Sequence, residues 1–208
     1  MTQSKPITLI GAPPSPYTRK MISILRYRRI PYSIVWGDPG AVLLGMGIAK
    51  PKVALLPTFV LPDERGEMQA VCDSTPIIRR LETEHNGRSV IPDDPAMAFI
   101  DYLLEDFADE YMPRIHMHTR WGNQQNKRAV SHRLGRAYCY AKEDITVQDI
   151  ATMFASRQPN FDKHLGLSDE VRANVDKQIL DLLNILEEHF LHHQFLFGFK
   201  PSVADFAL

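Results

Sequence analysis

Residues 6–84 set out β-forming and helical runs in the order β-α-β-(α)-β-β-α, and that order leaves few folds open. Residues 6–10 read as a strand, 16–29 as an amphipathic helix, and Tyr32–Trp36 as a strand rich in β-formers. A strand–helix–strand succession implies parallel pairing of its strands. Gly37–Pro51 carries Gly37, Gly40, Gly45 and Gly47 and is predicted to be irregular or a poor helix. Leu56–Leu61 and Gln69–Cys72 read as strands joined by the hairpin-length turn Pro62-Asp63-Glu64-Arg65-Gly66. Asp73-Ser74-Thr75-Pro76 then opens a helix to about Glu84, with Ser74 as a candidate cap. The expected fold is a mixed four-stranded sheet with helices on both faces.

A polar, turn-rich stretch, from Asn86-Gly87-Arg88-Ser89 to Pro92-Asp93-Asp94-Pro95, marks the boundary between an expected domain at 1–86 and a second at 95–208. Beyond it the pattern turns helical. Asp94-Pro95 is an N-cap followed by a first-turn proline, and Phe99, Leu103 and Phe107 recur at helical spacing until Pro113 interrupts the run. Val171, Val175, Ile179, Leu182, Leu183 and Leu186 form a second stripe. Ser202-Val203-Ala204-Asp205 is a capping box three residues before the end. So short a helix is unstable alone. The all-α domain is therefore expected to be incomplete at its C-terminal end, continuing beyond Leu208, or to dock that end as a stump.

Ser15-Pro16-Tyr17-Thr18-Arg19-Lys20 joins the first strand to the first helix through Gly11-Ala12-Pro13-Pro14. Proline suits the first turn of a helix, which makes Ser15 the N-cap. A hydroxyl beside free backbone N–H groups and the positive end of a helix dipole favours an anion, a thiolate included. An ordinary cap explains the same residues. The cluster Arg26, Arg28 and Arg29 reads as a solvated face matched to the helix dipole.

Hydrophobic residues make up 44% and charged residues 24%, as in a soluble globular protein. A formal net charge of −1 gives no global footprint for nucleic acid or an anionic membrane, and no run reaches membrane-spanning length. Cys72 and Cys139 show no paired spacing, and the polar start Met1–Lys5 is no signal peptide, so a cytoplasmic location is expected. Cys72 reads as an inert core thiol. In His116-x-His118 the two rings point to different helix faces, so no metal is expected there. At most His116 or Trp121 would line an apolar pocket. His189, His192 and His193 read as dipole-matched capping at a helix end.

Together these features resemble the cytosolic glutathione transferase superfamily, in a serine-type, bacterial-like form. The resemblance rests on Ser15-Pro16-Tyr17 after strand one, Leu56-Pro57 entering strand three, Asp73-Ser74 opening helix three, and Gly198 with Pro201-Ser202-Val203-Ala204-Asp205. It implies an α/β thioredoxin-like N-terminal domain that binds glutathione and an all-α C-terminal helical domain. It further implies Ser15 as the catalytic residue, with Tyr17 as the rival for holding the thiolate. A cis Leu56-Pro57 bond would present Leu56 to the cysteinyl unit, and Asp73 and Ser74 would hold the γ-glutamyl end. The glycine carboxylate would fall to Lys52 or Lys50, because Lys50–Pro57 is longer than the usual approach to this proline. Glutathione would be co-substrate, attacking a hydrophobic electrophile whose specificity lies in 112–161, a stretch with no recognised motif. A glutathione-dependent thiol reductase would want a cysteine at position 15. The non-enzyme alternative is a glutathione-transferase-like binding or scaffold protein. The resemblance also implies a homodimer through helix three and the first helix of the helical domain. Arg79 and Arg80 would there oppose Asp101, Glu105 and Asp106 in an isologous contact.

Overall fold

A computed structural model describes residues 6–139 and 146–208. The polar start at 1–5, and 140–145 within the motif-poor stretch 112–161, lie outside the described residues. The chain divides into two units, Met1–Val90 and Ile91–Leu208.

The first unit runs β1 (Ile7–Gly11), α1 (Pro16–Arg28), β2 (Tyr32–Trp36), α2 (Pro39–Met46), β3 (Thr58–Pro62), β4 (Met68–Cys72) and α3 (Ser74–Glu84). The sheet order is β2-β1-β3-β4. β1 and β2 are parallel, and β3 is antiparallel to both β1 and β4. The glycine-rich stretch after β2 does contain a helix. Asp38 caps it, its Oδ1 accepting from Ala41 N at 3.0 Å, and Pro39 fills the first turn. Gly47, at φ 69°, stops it in the left-handed conformation. The Asp-Pro pair outweighs the weak helix propensity of the glycines.

Ile10, Val60 and Leu43 form the core on the α2 face, with Val35, Val42, Ile48 and Ala70 around them. Leu9 and Phe59, opposed in register, point to the other face by the pleat. There α1 buries Met21, Ile24 and Leu25, and α3 buries Ile77, Ile78 and Leu81. A Cβ on Gly11 would lie 2.5 Å from Thr18 Cγ2, so a bare glycine is what lets α1 press onto β1.

The arginine cluster at the end of α1 departs from expectation. The Arg28 side chain is only 1% exposed and pairs with Glu82 of α3 at 3.2 Å. Its Nη2 donates to the His85 carbonyl at 2.6 Å. Arg26, in contrast, stays at the surface and donates to the Tyr32 hydroxyl. Cys72 is half-buried rather than in the core, its thiol donating to the Val53 carbonyl at 3.0 Å.

The second unit is helical: α4 (Pro95–Asp106), a π-helical turn (Phe107–Tyr111), α5 (Met112–Trp121), α6 (Gln124–Cys139), α7 (Val147–His164), α8 (Asp169–Phe190) and α9 (Val203–Ala207). Among its described residues, β pairing is limited to one bridge, Phe195 to Gly198. Pro113 does not end the helical run. It lacks an N–H and would crowd the carbonyl four residues back. The chain widens to a π turn, with Met112 N reaching Phe107 O, and then resumes as α5. Ile115, Leu167 and Val175 form a core cluster. The later part of the α8 stripe is less buried than its spacing predicts, and Leu183 is exposed.

The acidic residues of α4 also differ from expectation. Asp101 and Glu105 are 0% and 1% exposed, and Asp101 Oδ1 accepts from Ala204 N at 2.9 Å, at the start of α9. Arg80 pairs with Glu84 at 2.6 Å and donates to the Pro62 carbonyl. Asp101 and Glu105 therefore cannot face a partner's arginines from the surface. The capping box at Ser202 is formed: the Asp205 carboxylate accepts from Ser202 N at 2.8 Å and from Leu196 N at 2.9 Å. Among the described residues no helix is long and apolar enough to cross a membrane.

Candidate functional site

Strand direction brings the predicted site residues to one end of the sheet. Gly11 lies beside Trp36, Ile10 beside Thr58, and Thr58 beside Cys72. β1, β2 and β4 therefore finish where β3 starts. The loop to Ser15, the Leu56-Pro57 bend and the Asp73-Ser74 junction all leave from that edge, and α1, α2 and α3 all begin there. Helix N-termini carry free N–H groups and partial positive charge, so this end of the unit favours anions. The α2 terminus is already served by its own Asp38.

Ser15 is the N-cap of α1, its Oγ accepting from Thr18 N at 3.2 Å. Ser15 N donates to Ala12 O at 3.0 Å, and Arg19 Nε to Pro13 O at 2.8 Å, so the loop is tied to the helix start. A hydroxyl that accepts one N–H can still donate its own O–H. Capping and anion binding are thus compatible in one side chain. Tyr17 is half-buried two residues further on.

Leu56-Pro57 is a cis peptide, as the resemblance implies. The Thr58 hydroxyl donates to the Leu55 carbonyl at 2.7 Å and closes the bend. Lys50 and Lys52 are both exposed, and among the described residues neither makes an ion pair. The end of Lys50 lies over the first turn of α2, where a Cβ on Gly40 would be 2.7 Å from Nζ.

The α3 junction is not the simple cap predicted. Asp73 occupies the N-cap position with no side-chain cap bond, at φ 84° and ψ 117°, and Ser74 is already inside the helix. A non-glycine residue at such a φ costs of order 1–3 kcal/mol, and such residues cluster at binding sites. Lys20 was missed. It is 4% exposed, and its Nζ donates to Ser74 Oγ at 3.4 Å, linking α1 to the start of α3. The available signal was its place beside Met21 and one turn before Ile24, on the apolar face of α1, where a cation needs a partner.

The histidines of α5 lie in the second unit. Burial, helped by the charge of Arg120, pushes His116 down to about 4. His118 Nε2 lies 2.7 Å from Asp176 Oδ1, and its Nδ1 lies 3.4 Å from Arg172 Nη1. The two rings therefore have different surroundings, as their spacing predicts. Between its ordinary value of 6.5 and about 4, His116 takes a proton in the unfolded chain but not in the folded one. Stability present above pH 6.5 is thus lost as the pH falls toward 4. Denaturation midpoints of His116→Gln should show a shallower acid limb across that interval. An unchanged limb would place the ring in solvent.

Residues 9–89 match the family model described as glutathione S-transferase, N-terminal domain. No curated protein sequence matches the chain significantly. Among solved structures, the chain is similar to the β-etherase LigF of Sphingobium sp. strain SYK-6, at 17% identity over 98% of this chain and 81% of that one, with a TM-score of 0.60. It is similar to glutathione transferase GSTFuA2 of Phanerochaete chrysosporium, at 16% identity over 98% and 82%, with a TM-score of 0.60. FzlA of C. crescentus matches at 18% identity over 98% and 75%, with a TM-score of 0.57. Residues 9–89 thus carry the match to the glutathione S-transferase N-terminal domain, and the chain has the glutathione transferase architecture, a thioredoxin-like unit followed by a helical one.

Proposed function

We propose that this protein is a serine-type glutathione transferase, in which residues 1–86 bind glutathione and the helical part at 95–208 supplies specificity for a hydrophobic electrophile. The observation that carries the reading is the meeting of Ser15, Leu56-Pro57 and Asp73-Ser74-Lys20 at one end of the sheet. Bound glutathione supplies a thiol whose thiolate adds to the electrophile. Ser15 donates its O–H to that sulfur while still accepting from Thr18 N, and the α1 N-terminus favours the anion. Backbone groups of Leu56 pair with the extended tripeptide in a strand-like way. Ser74 at the start of α3, with Lys20 reaching it from α1, receives the γ-glutamyl carboxylate, and exposed Asp73 receives the ammonium. Lys52, or Lys50, meets the glycine carboxylate. The protein works in the cytoplasm as a homodimer, which sedimentation at micromolar concentration tests.

Isothermal titration with glutathione, followed by thiolate absorbance of the complex, decides between this reading and its alternative. Binding with a thiolate signal at neutral pH supports the enzyme. Binding without one favours the alternative, a non-catalytic glutathione-binding module. No binding removes both.

A further inference from the structure

The described stretch from Met112 to Cys139 holds Arg114, Arg120, Lys127, Arg128, Arg133 and Arg136 and no Asp or Glu, in a chain of net charge −1. The resemblance assigns this segment no motif, and the structure gives the charge a place. α6 and α7 enclose a groove of about 630 Å³ within the second unit. α6 lines it with Lys127, Arg128 and His132, and α7 lines it with Gln148, Thr152 and the small Ala151. No carboxylate lines it among the described residues. The acids of α7 are committed elsewhere: Asp149 to Thr146 N and Oγ1, and Asp162 to Arg172 at 2.6 Å. Among the described residues Lys127, Arg128 and His132 make no ion pair.

We propose that the α6–α7 groove binds a small organic dianion, a phosphate monoester or a dicarboxylate, with an apolar body against Ala151 and its acidic head between Lys127, Arg128 and His132. The volume falls within the range of small-molecule sites. Two fixed cations, with the His132 imidazole beside them as a further hydrogen-bonding group, match a dianion. Gln148 adds a neutral donor. A short groove with three basic groups suits a compact ligand, whereas a polyanion such as nucleic acid draws its affinity from many phosphate contacts spread along its backbone. This site lies within the helical unit and is independent of the glutathione reading.

The test is calorimetric titration of the full chain at low ionic strength with phenyl phosphate, citrate and inorganic phosphate. Phenyl phosphate or citrate should bind, and the stronger of the two tells ester from carboxylate chemistry. Binding should weaken with added salt. The Lys127→Gln/Arg128→Gln double variant should bind at least tenfold more weakly, with glutathione titration and melting unchanged. Gln148→Glu, an exposed substitution that removes no cation, should weaken binding by a similar factor and covers the case in which the double variant fails to fold. Absence of binding by every probe overturns the proposal, as does equal binding by either folded variant. Binding of a heparin fragment or oligonucleotide alone would assign the charge to a macromolecular surface and overturn it too.

Discussion

Ser15→Ala is expected to leave glutathione binding nearly intact while raising the bound thiol's pKa and slowing conjugation at neutral pH. The binding contacts proposed at Lys20, Asp73 and Ser74 are made by other side chains and survive the substitution. What is lost is one hydrogen bond to a charged sulfur, about 1.5–3 kcal/mol, or roughly ten- to a hundredfold in rate. The cap bond to Thr18 N is lost as well, at a cost of about 1 kcal/mol in stability, so melting must be recorded beside kinetics. Asp73→Ala should do the reverse, weakening binding with little change in the thiol pKa of what still binds. A silent Ser15→Ala in a protein that binds glutathione would reduce Ser15 to a helix cap and pass the sulfur to Tyr17 or a backbone amide.

Glu82→Ala should be the most damaging single substitution at the α1–α3 contact. Glu82 Oε1 meets Arg28 at 3.2 Å and accepts from Val90 N at 3.1 Å. Removing it strands a guanidinium that is 1% exposed, with only Nη2 held, on the His85 carbonyl, among the described residues. Breaking a buried pair from one side costs about 3–5 kcal/mol. Glu84→Ala is the internal control, because its pair with Arg80 is a partly exposed i,i+4 bridge. Such bridges contribute about 0.3–0.5 kcal/mol. Chemical denaturation of the two variants should separate them clearly. Arg28→Met combined with Glu82→Leu should recover much of the loss, since no charge is then left buried. Equal stability of Glu82→Ala and Glu84→Ala would mean that Arg28 finds water on folding.

Local signals were read correctly from the chain where a side chain acts on its own backbone. Ser15-Pro16 and Asp94-Pro95 announced helix starts because the capping bond spans three residues and needs no distant partner. The hairpin at Pro62–Gly66 was legible for the same reason: Asp63 Oδ1 accepts from Arg65 N and Glu67 N, and Gly66 adopts φ 83°. The Asp38-Pro39 cap of α2 is of this kind too, and the surrounding glycines masked it.

Where a charge goes after folding was decided only by tertiary structure. Arg26, Arg28 and Arg29 look alike in the sequence, yet only Arg28 meets Glu82, fifty-four positions away in the chain. Asp101 and Glu105 read as surface charges on an amphipathic helix until α9 folds back and gives Asp101 the N–H of Ala204. Lys20 belongs to the same group, since its partner Ser74 reaches it only once β4 has paired with β3. A cap is a contact between neighbours and is written in the sequence, whereas a buried charge is settled by which element arrives to neutralise it.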